Sequence, residues 1–518
     1  MFVTNKSRAG MLSKTAASLV VLSTLAAPCD GFQAGNIALW TGSKVRAASP
    51  APLLRPTTSQ VKAPRDVARA RSGAAVGLKC TADTSALASW LSENGASVNC
   101  SPKAASGLVA DRKLKQGDQA CSIPVKICMT EETALKALGS KASDLDAETQ
   151  IVLQLIQERA KGSSSTYAPW IATIPDSDGL NMPLFWSDEE RKLLEGSLVF
   201  DETEELADAL KDEFDQLVSQ GWGDVLPDGA FTLENYKWAV SVVTARAVKA
   251  EKLPGGLALA PLIDRAFECA PGSAKTALEF AGMFREPRIA LTAGVPVASG
   301  DVLGAELECS PSKMLSRHGV ASFSEAGGQF DLALAISPMD RFYDDKADIL
   351  EVWGLAEEQE FKLLSSGELD EEMKAFLRLT CVQATDAFLL EPVFRNEVWE
   401  FMQLPVSPVN EELMLDTLIG TCEGYLEAMS SKDSDDMALR DKVDAPVRAR
   451  LAAAAVLSEK RALRATLRAC LAAKEQLGEL EYYQERRLRL LNLDRPLDES
   501  EIVDPDVDFD RDSVPWIR

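Results

Sequence analysis

Side chains that could carry covalent or proton-transfer chemistry are thinly spread in this 518-residue chain. His318 is the only histidine, and none of the six tyrosines lies between Tyr236 and Tyr343. The cysteines of the body (Cys100, Cys121, Cys128, Cys269, Cys309, Cys381, Cys422 and Cys470) stand singly, with no C-x-x-C pair. Neither a zinc site nor a thioredoxin-like motif has anything to rest on, and the thiols read as reduced and mostly buried. What remains is a set of short constellations. Gly107-Leu108-Val109-Ala110, followed by D-R-x-L-x-x-G, reads as a glycine-punctuated turn. Arg246 sits in Ala245-Arg246-Ala247-Val248, and Asp264 in Leu259-Ala-Pro-Leu-Ile-Asp264-Arg-Ala-Phe267-Glu268. The imidazole of His318 is flat, polar and able to hydrogen-bond an amine.

The elements around these residues follow from periodicity and punctuation. Residues 85–95 place Leu87, Trp90 and Leu91 on one helical face, with Asn94-Gly95 ending the helix. Gly107–Leu114 with Gly117 reads as strand, turn, strand, and Cys121–Cys128 continues in that style. From about Asp146 to Gln220 the pattern is helical and charged, interrupted at Trp170–Pro175 and Met182–Trp186. Strand-like segments return at Arg288–Val295 and Phe330–Ile336. From Leu363 to Leu491 apolar residues recur every three to four positions. Within that stretch Arg450–Leu463 reads as an amphipathic core helix with Glu459 and Lys460 on its charged face. A β-rich centre split by helices and followed by an all-helical lobe is an α+β fold.

Charge excludes some partners. The formal net charge is −24, but residues 1–80 hold 11 Lys/Arg against 2 Asp/Glu, leaving 55 − 11 = 44 basic and 79 − 2 = 77 acidic residues beyond them. A body of −33 repels nucleic acid and anionic lipid, since binding either requires Lys/Arg to neutralise phosphate. The acid-rich tail from Asp498 to Asp512 reads as solvated. At the other end, Lys6, Arg8 and Lys14 precede an apolar run from Ala16 to Pro28, within the length of a signal-peptide core and short of a membrane span. A basic, acid-poor stretch from Phe32 to about Lys79 follows. Together they resemble the two-part presequence of algae with complex plastids; a basic tail behind a secretory signal is the other reading. No second apolar span of membrane length follows, so the mature form is expected to be soluble.

Thr385–Leu413 reads TDAFLLEPVFRNEVWEFMQLPVSPVNEEL. With the constellations above, it resembles the Rubisco large-subunit methyltransferase family, SET-domain enzymes that methylate protein lysines. The resemblance runs from about Ser85 to about Leu471. It implies a signal peptide over 1–31, a transit peptide over 32–80, and a SET domain over 81–350 with a helical insertion at about 146–240. A helical substrate-binding domain at 360–495 and an acidic tail at 496–518 complete the layout. It also implies S-adenosylmethionine as cofactor, no metal, residence in the plastid stroma, and a protein partner such as Rubisco large subunit or aldolase. Lysine methylation needs a neutral amine, although a free lysine has a pKa near 10.4. The site must desolvate that amine, align it with the methyl group and aim oxygen dipoles at the cation.

Residue by residue the match is uneven. Gly107, Leu108 and Val109 match the family's cofactor turn, while its preceding glutamate falls on Ala104. Arg246 and Asp264 match an arginine and an acid that flank the cofactor. Phe267 and Glu268 stand where the family has Asn-His. Glu306 or Leu307 replaces one tyrosine, Pro311 sits near the family's second asparagine, and His318-Gly319-Val320 replaces Tyr-Gly-Phe. The resemblance thus gives His318 as the catalytic candidate, in place of a tyrosine. Two readings follow: a protein-lysine methyltransferase with a diverged site, or a non-catalytic relative that keeps its helical lobe as a protein-binding module.

Overall fold

The computed structural model describes residues 84–494 apart from 104–106, 268–271, 273, 282–285, 308, 324–326 and 492. The presequence, Ala104, Glu268 and the acidic tail therefore lie outside the described residues. The chain opens with α1 (Thr84–Glu93), β1 (Ser97–Val98), β2 (Cys100–Lys103), β3 (Gly107–Ala110), β4 (Gln119–Pro124), β5 (Met129–Thr130) and α2 (Glu131–Leu138). Five helices follow: α3 (Ala147–Ala160), α4 (Ala168–Ile171), α5 (Asp188–Arg191), α6 (Leu198–Ser219) and α7 (Leu233–Arg246). Strands return as β6 (Val248–Lys249), β7 (Leu257–Leu259), β8 (Ala274–Ala281) and β9 (Glu286–Ala293), then α8 (Pro311–His318), β10 (Gln329–Ala335), α9 (Tyr343–Val352) and β11 (Glu358–Leu364). The lobe beyond is helical: α10 (Glu371–Thr380), α11 (Val398–Met402), α12 (Pro408–Ala428), α13 (Asp433–Asp441), α14 (Val447–Glu475) and α15 (Tyr483–Leu490).

Local chemistry sets the helix starts. Asp146, Thr232, Ser310 and Ser407 each accept a backbone N–H of the first turn with the side chain, satisfying a donor the helix cannot. Pro311 and Pro408 follow two of these caps, where proline's missing N–H costs nothing. The β-rich centre is several small antiparallel sheets: β1-β4-β9-β8, β5-β7-β6 and the hairpin β2-β3. β10 and β11 form a separate antiparallel pair lying against α14.

Two hydrophobic cores result. The first runs from Leu87 to Ala305 and includes Leu108, Trp170, Trp238 and Ile263. The second gathers Phe330, Leu332, Leu334 and Ile336 with Leu315 of α8, the helical lobe, and Trp186, Leu194, Leu198 and Val199. The cores therefore do not divide at residue 350: β10 serves the second one, and the inserted helices serve both. Buried apolar area, rather than chain order, decides which core a strand joins.

Glu459 and Lys460 depart from the solvated face expected of them, with exposures of 0% and 1%. α14 touches α8, α12, α13, β10 and β11, and so has little free face at this point. The Glu459 carboxyl accepts from Ser312 Oγ at 2.6 Å and from the Leu198 backbone N–H at 3.1 Å, tying α8 and α6 to α14. Burial is the main cause that pushes its pKa up to about 8. The folded state thus keeps this proton up to about pH 8, while the unfolded chain releases it near pH 4.5. Between these values the folded state binds more protons, so this group makes stability fall as pH rises. Glu459→Gln removes the ionisation and keeps the shape. Urea denaturation should show the variant about 2–4 kcal/mol more stable than wild type at pH 8 and about equal at pH 5. A constant difference across that range would remove Glu459 as the cause.

Candidate active site

The turn carrying Asp264 begins under strain. Leu262 has φ 71° in the left-handed region although it is a buried leucine. Such a residue costs on the order of 1 kcal/mol and persists only where its surroundings fix it. The far end of this turn is held by a crossing segment, 300–306. Gly300 N–H donates to Ala110 O (2.8 Å), Ala110 N–H to Asp301 O (3.0 Å) and Leu303 N–H to Leu108 O (2.8 Å). Farther along, Ala305 N–H donates to Ala266 O (2.9 Å) and Glu306 N–H to Ala274 O (3.0 Å). A single stretch of backbone thus ties Gly107–Ala110, which is strand β3 and not the turn its glycine suggests, to the Ile263–Phe267 turn.

Arg246 is the last residue of α7, where a cation complements the helix dipole. As a lone arginine on a helix it would sit at the surface; instead it is 4% exposed, and its Nη1 lies 3.7 Å from Oδ2 of Asp264, itself 1% exposed. The other oxygen, Oδ1, accepts the indole N–H of Trp170 at 3.2 Å. Arg265 turns the opposite way and donates to Thr173 O at 3.0 Å.

His318 closes α8, and Gly319 after it adopts φ 66°. A Cβ at Gly319 would collide with the Leu180 carbonyl, so only glycine lets the helix end pack there. The imidazole is hydrogen-bonded to the backbone of Ala245, next to Arg246. Its Nδ1 is buried with no hydrogen-bond partner among the described residues. Burial, with smaller contributions from Arg317 and Arg246, pushes its pKa down to about 4. His318 is therefore neutral at pH 7. Because the shift is downward, the folded state loses stability as pH falls from about 6.5 to about 4. As the only histidine, it should give a single imidazole NMR signal titrating near pH 4. A midpoint near 6.5 would contradict its placement beside Arg246.

The structure thus brings Arg246, Asp264 and His318 together, and joins strand β3, which bears Leu108 and Val109, to the Asp264 turn through 300–306. Leu108 is fully buried, Val109 half-buried and Gly107 buried. Phe267 is half-buried against the first core and offers no polar side-chain atom. Glu306 points outward to Lys275 at 3.2 Å. Trp170, Thr173 and Arg265 were not singled out from sequence; the one signal was the interruption of the helical pattern at Trp170–Pro175. Among the described residues no group of acidic, cysteine or histidine side chains could hold a metal ion. Two cavities, of about 340 and 470 Å³, lie elsewhere, one against Arg159 and Trp238 and one between α8 and α14.

Residues 337–463 match the Rubisco LSMT substrate-binding family model. The chain is 29% identical over 397 residues to the chloroplastic Rubisco large-subunit N-methyltransferase of Nicotiana tabacum, covering 75% of this chain and 80% of that protein. It is also 29% identical over 400 residues to the chloroplastic fructose-bisphosphate aldolase-lysine N-methyltransferase of Arabidopsis thaliana, covering 75% and 81%. Human actin-histidine N-methyltransferase is 26% identical over 442 residues, covering 78% and 72%. A crystal structure of the SET domain of LSMT bound to lysine and AdoHcy superposes with a TM-score of 0.71 at 25% identity, covering 79% of this chain and 96% of that one. The α+β reading, a SET domain followed by a helical substrate-binding domain, is therefore the observed fold. Residues 337–463 thus match a Rubisco LSMT substrate-binding domain, and the chain is similar over about three-quarters of its length to SET-domain methyltransferases of the Rubisco large-subunit methyltransferase family.

Proposed function

We propose that the protein is an S-adenosylmethionine-dependent protein-lysine N-methyltransferase of the plastid stroma. Its target would be Rubisco large subunit or an aldolase, and its site is diverged and slow. The observation that supports this reading best is the meeting of Arg246, Asp264 and His318 at one place. The side chains fit the cofactor at one point and the substrate at another. Arg246 would offer a guanidinium to the cofactor's carboxylate, and His318 would offer the substrate amine its Nδ1, an acceptor with no hydrogen-bond partner among the described residues. At Phe267 the fit fails, because a phenyl ring has no hydrogen bond to give. When bound, S-adenosylmethionine supplies an electrophilic methyl group on a cationic sulfur.

His318 would act as a dipole and not as a base. Taking a proton from a lysine of pKa about 10.4 onto an imidazole of pKa about 4 costs about 9 kcal/mol. The neutral ring instead accepts a hydrogen bond from the amine and orients its lone pair, while the amine's proton leaves to water. Asp264 holds the Arg246 guanidinium in place.

A radiolabelled-methyl assay on Rubisco large subunit and aldolase tests this. We expect slow transfer, lowered by about 10²–10³ in His318→Ala, as is usual when one preorganised polar group is lost. Transfer should rise in the double change Phe267→Asn, Glu268→His. Robust wild-type transfer untouched by His318→Ala would refute the role of that histidine. The second reading, a binding module without catalysis, is favoured by Phe267 and by the lack of any tyrosine between Tyr236 and Tyr343. It predicts capture of Rubisco or aldolase by the helical lobe with no transfer in either form. Plastid delivery by residues 1–80 is tested by fusing them to a fluorescent protein, and secretion would contradict it.

A further inference from the structure

The Arg246–Asp264 pair does not fix its own geometry. At 3.7 Å the two groups are at the long edge of an ion pair, and a carboxylate so placed could rotate without a second partner. The second partner comes from the inserted helices. Trp170, in the short helix α4 and wholly buried, donates its indole N–H to Asp264 Oδ1. Three residues later the same segment takes a bond back, from Arg265 to Thr173 O. It is also held from α7: Trp238 donates to Pro175 O at 2.8 Å, and Arg159 stacks on the Trp238 ring at 3.9 Å. Since α7 ends in Arg246, the 170–175 segment braces both members of the pair, one through its helix and the other through its carboxylate.

We infer that Trp170 is a positioning residue, whose indole N–H aims the Asp264 carboxylate at Arg246 and so lets the helical insertion set the cofactor-binding pair. The positional part stands on the geometry alone; its consequence for affinity rests on the function proposed above. The test has two arms. In the first, the protein carries ¹⁵N-labelled tryptophan and no ligand, and the Trp170 indole signal is assigned by its loss in Trp170→Phe. Asp264→Asn should move that signal markedly upfield, because a charge-assisted acceptor becomes a neutral one. An unmoved signal overturns the inference, and should Trp170→Phe fold poorly the signal is assigned instead from its through-space contacts in the wild type. In the second, calorimetry measures S-adenosylhomocysteine binding to wild type and Trp170→Phe. The Kd should rise about tenfold or more, in line with losing a hydrogen bond to a charged group. An unchanged Kd in a folded variant overturns the inference. If wild type itself binds no S-adenosylhomocysteine, the proposed function fails, and the indole signal alone decides the role of Trp170.

Discussion

Arg246→Ala should both destabilise the protein and abolish cofactor binding. The guanidinium and the Asp264 carboxylate are 4% and 1% exposed, so deleting the cation leaves an anion buried without its charge partner. Breaking such a pair from one side typically costs about 3–5 kcal/mol, a large share of the roughly 5–15 kcal/mol that holds a domain together. Urea denaturation should show the midpoint fall with little change in slope. The double change Arg246→Met with Asp264→Leu should recover part of the stability, since no lone charge stays behind, and none of the binding. Recovery of binding in the double variant would remove the pair from the cofactor site. A loss well under 1 kcal/mol in Arg246→Ala would mean that Arg246 is not the main support of Asp264.

Lys460→Met should be about as costly, at the seam between α13 and α14. All three ammonium hydrogens are used: Nζ lies 2.6 Å from Ser431 O, 2.7 Å from Ser431 Oγ and 2.8 Å from Asp436 Oδ2. Asp433 is 3.9 Å away. The bonds pin the start of α13 and the turn before it to the middle of α14. Methionine keeps the stem and removes the charge, stranding the buried Asp436. We expect about 3–5 kcal/mol of lost stability, partly restored by adding Asp436→Leu. A loss below about 1 kcal/mol would mean that water reaches Asp436.

Both sites show what pattern reading can and cannot see. The strand at Gly107–Ala110, the helical insertion and the helix-rich lobe were legible because glycine punctuation and a 3.6-residue period are local properties, whereas the partner of that strand, Cys100–Lys103, was not. Strands expected at Arg288–Val295 and Phe330–Ile336 appear two residues and one residue earlier, at Glu286–Ala293 and Gln329–Ala335. The spacing of Glu459 and Lys460 on α14 is that of a charged face, and the period says nothing about how many neighbours surround a helix. Arg246 looked like a surface arginine for the same reason, and only the family resemblance pointed inward. Trp170 went unremarked because its bond to Asp264 spans 94 residues of chain, and no local signal records such a contact. Phe267 is the opposite case: its departure from the family's Asn-His was visible in sequence, and the structure adds only that its ring rests on the first core.

The most direct test of the account is a calorimetric titration of S-adenosylhomocysteine into the wild-type protein, because it needs no knowledge of the substrate. Saturable one-to-one binding is expected. It should be lost in Arg246→Ala and tightened in the double change Phe267→Asn, Glu268→His. No binding at millimolar ligand in either the wild type or that double variant would contradict the assignment of Arg246, Asp264 and the neighbouring strand β3 to a cofactor site.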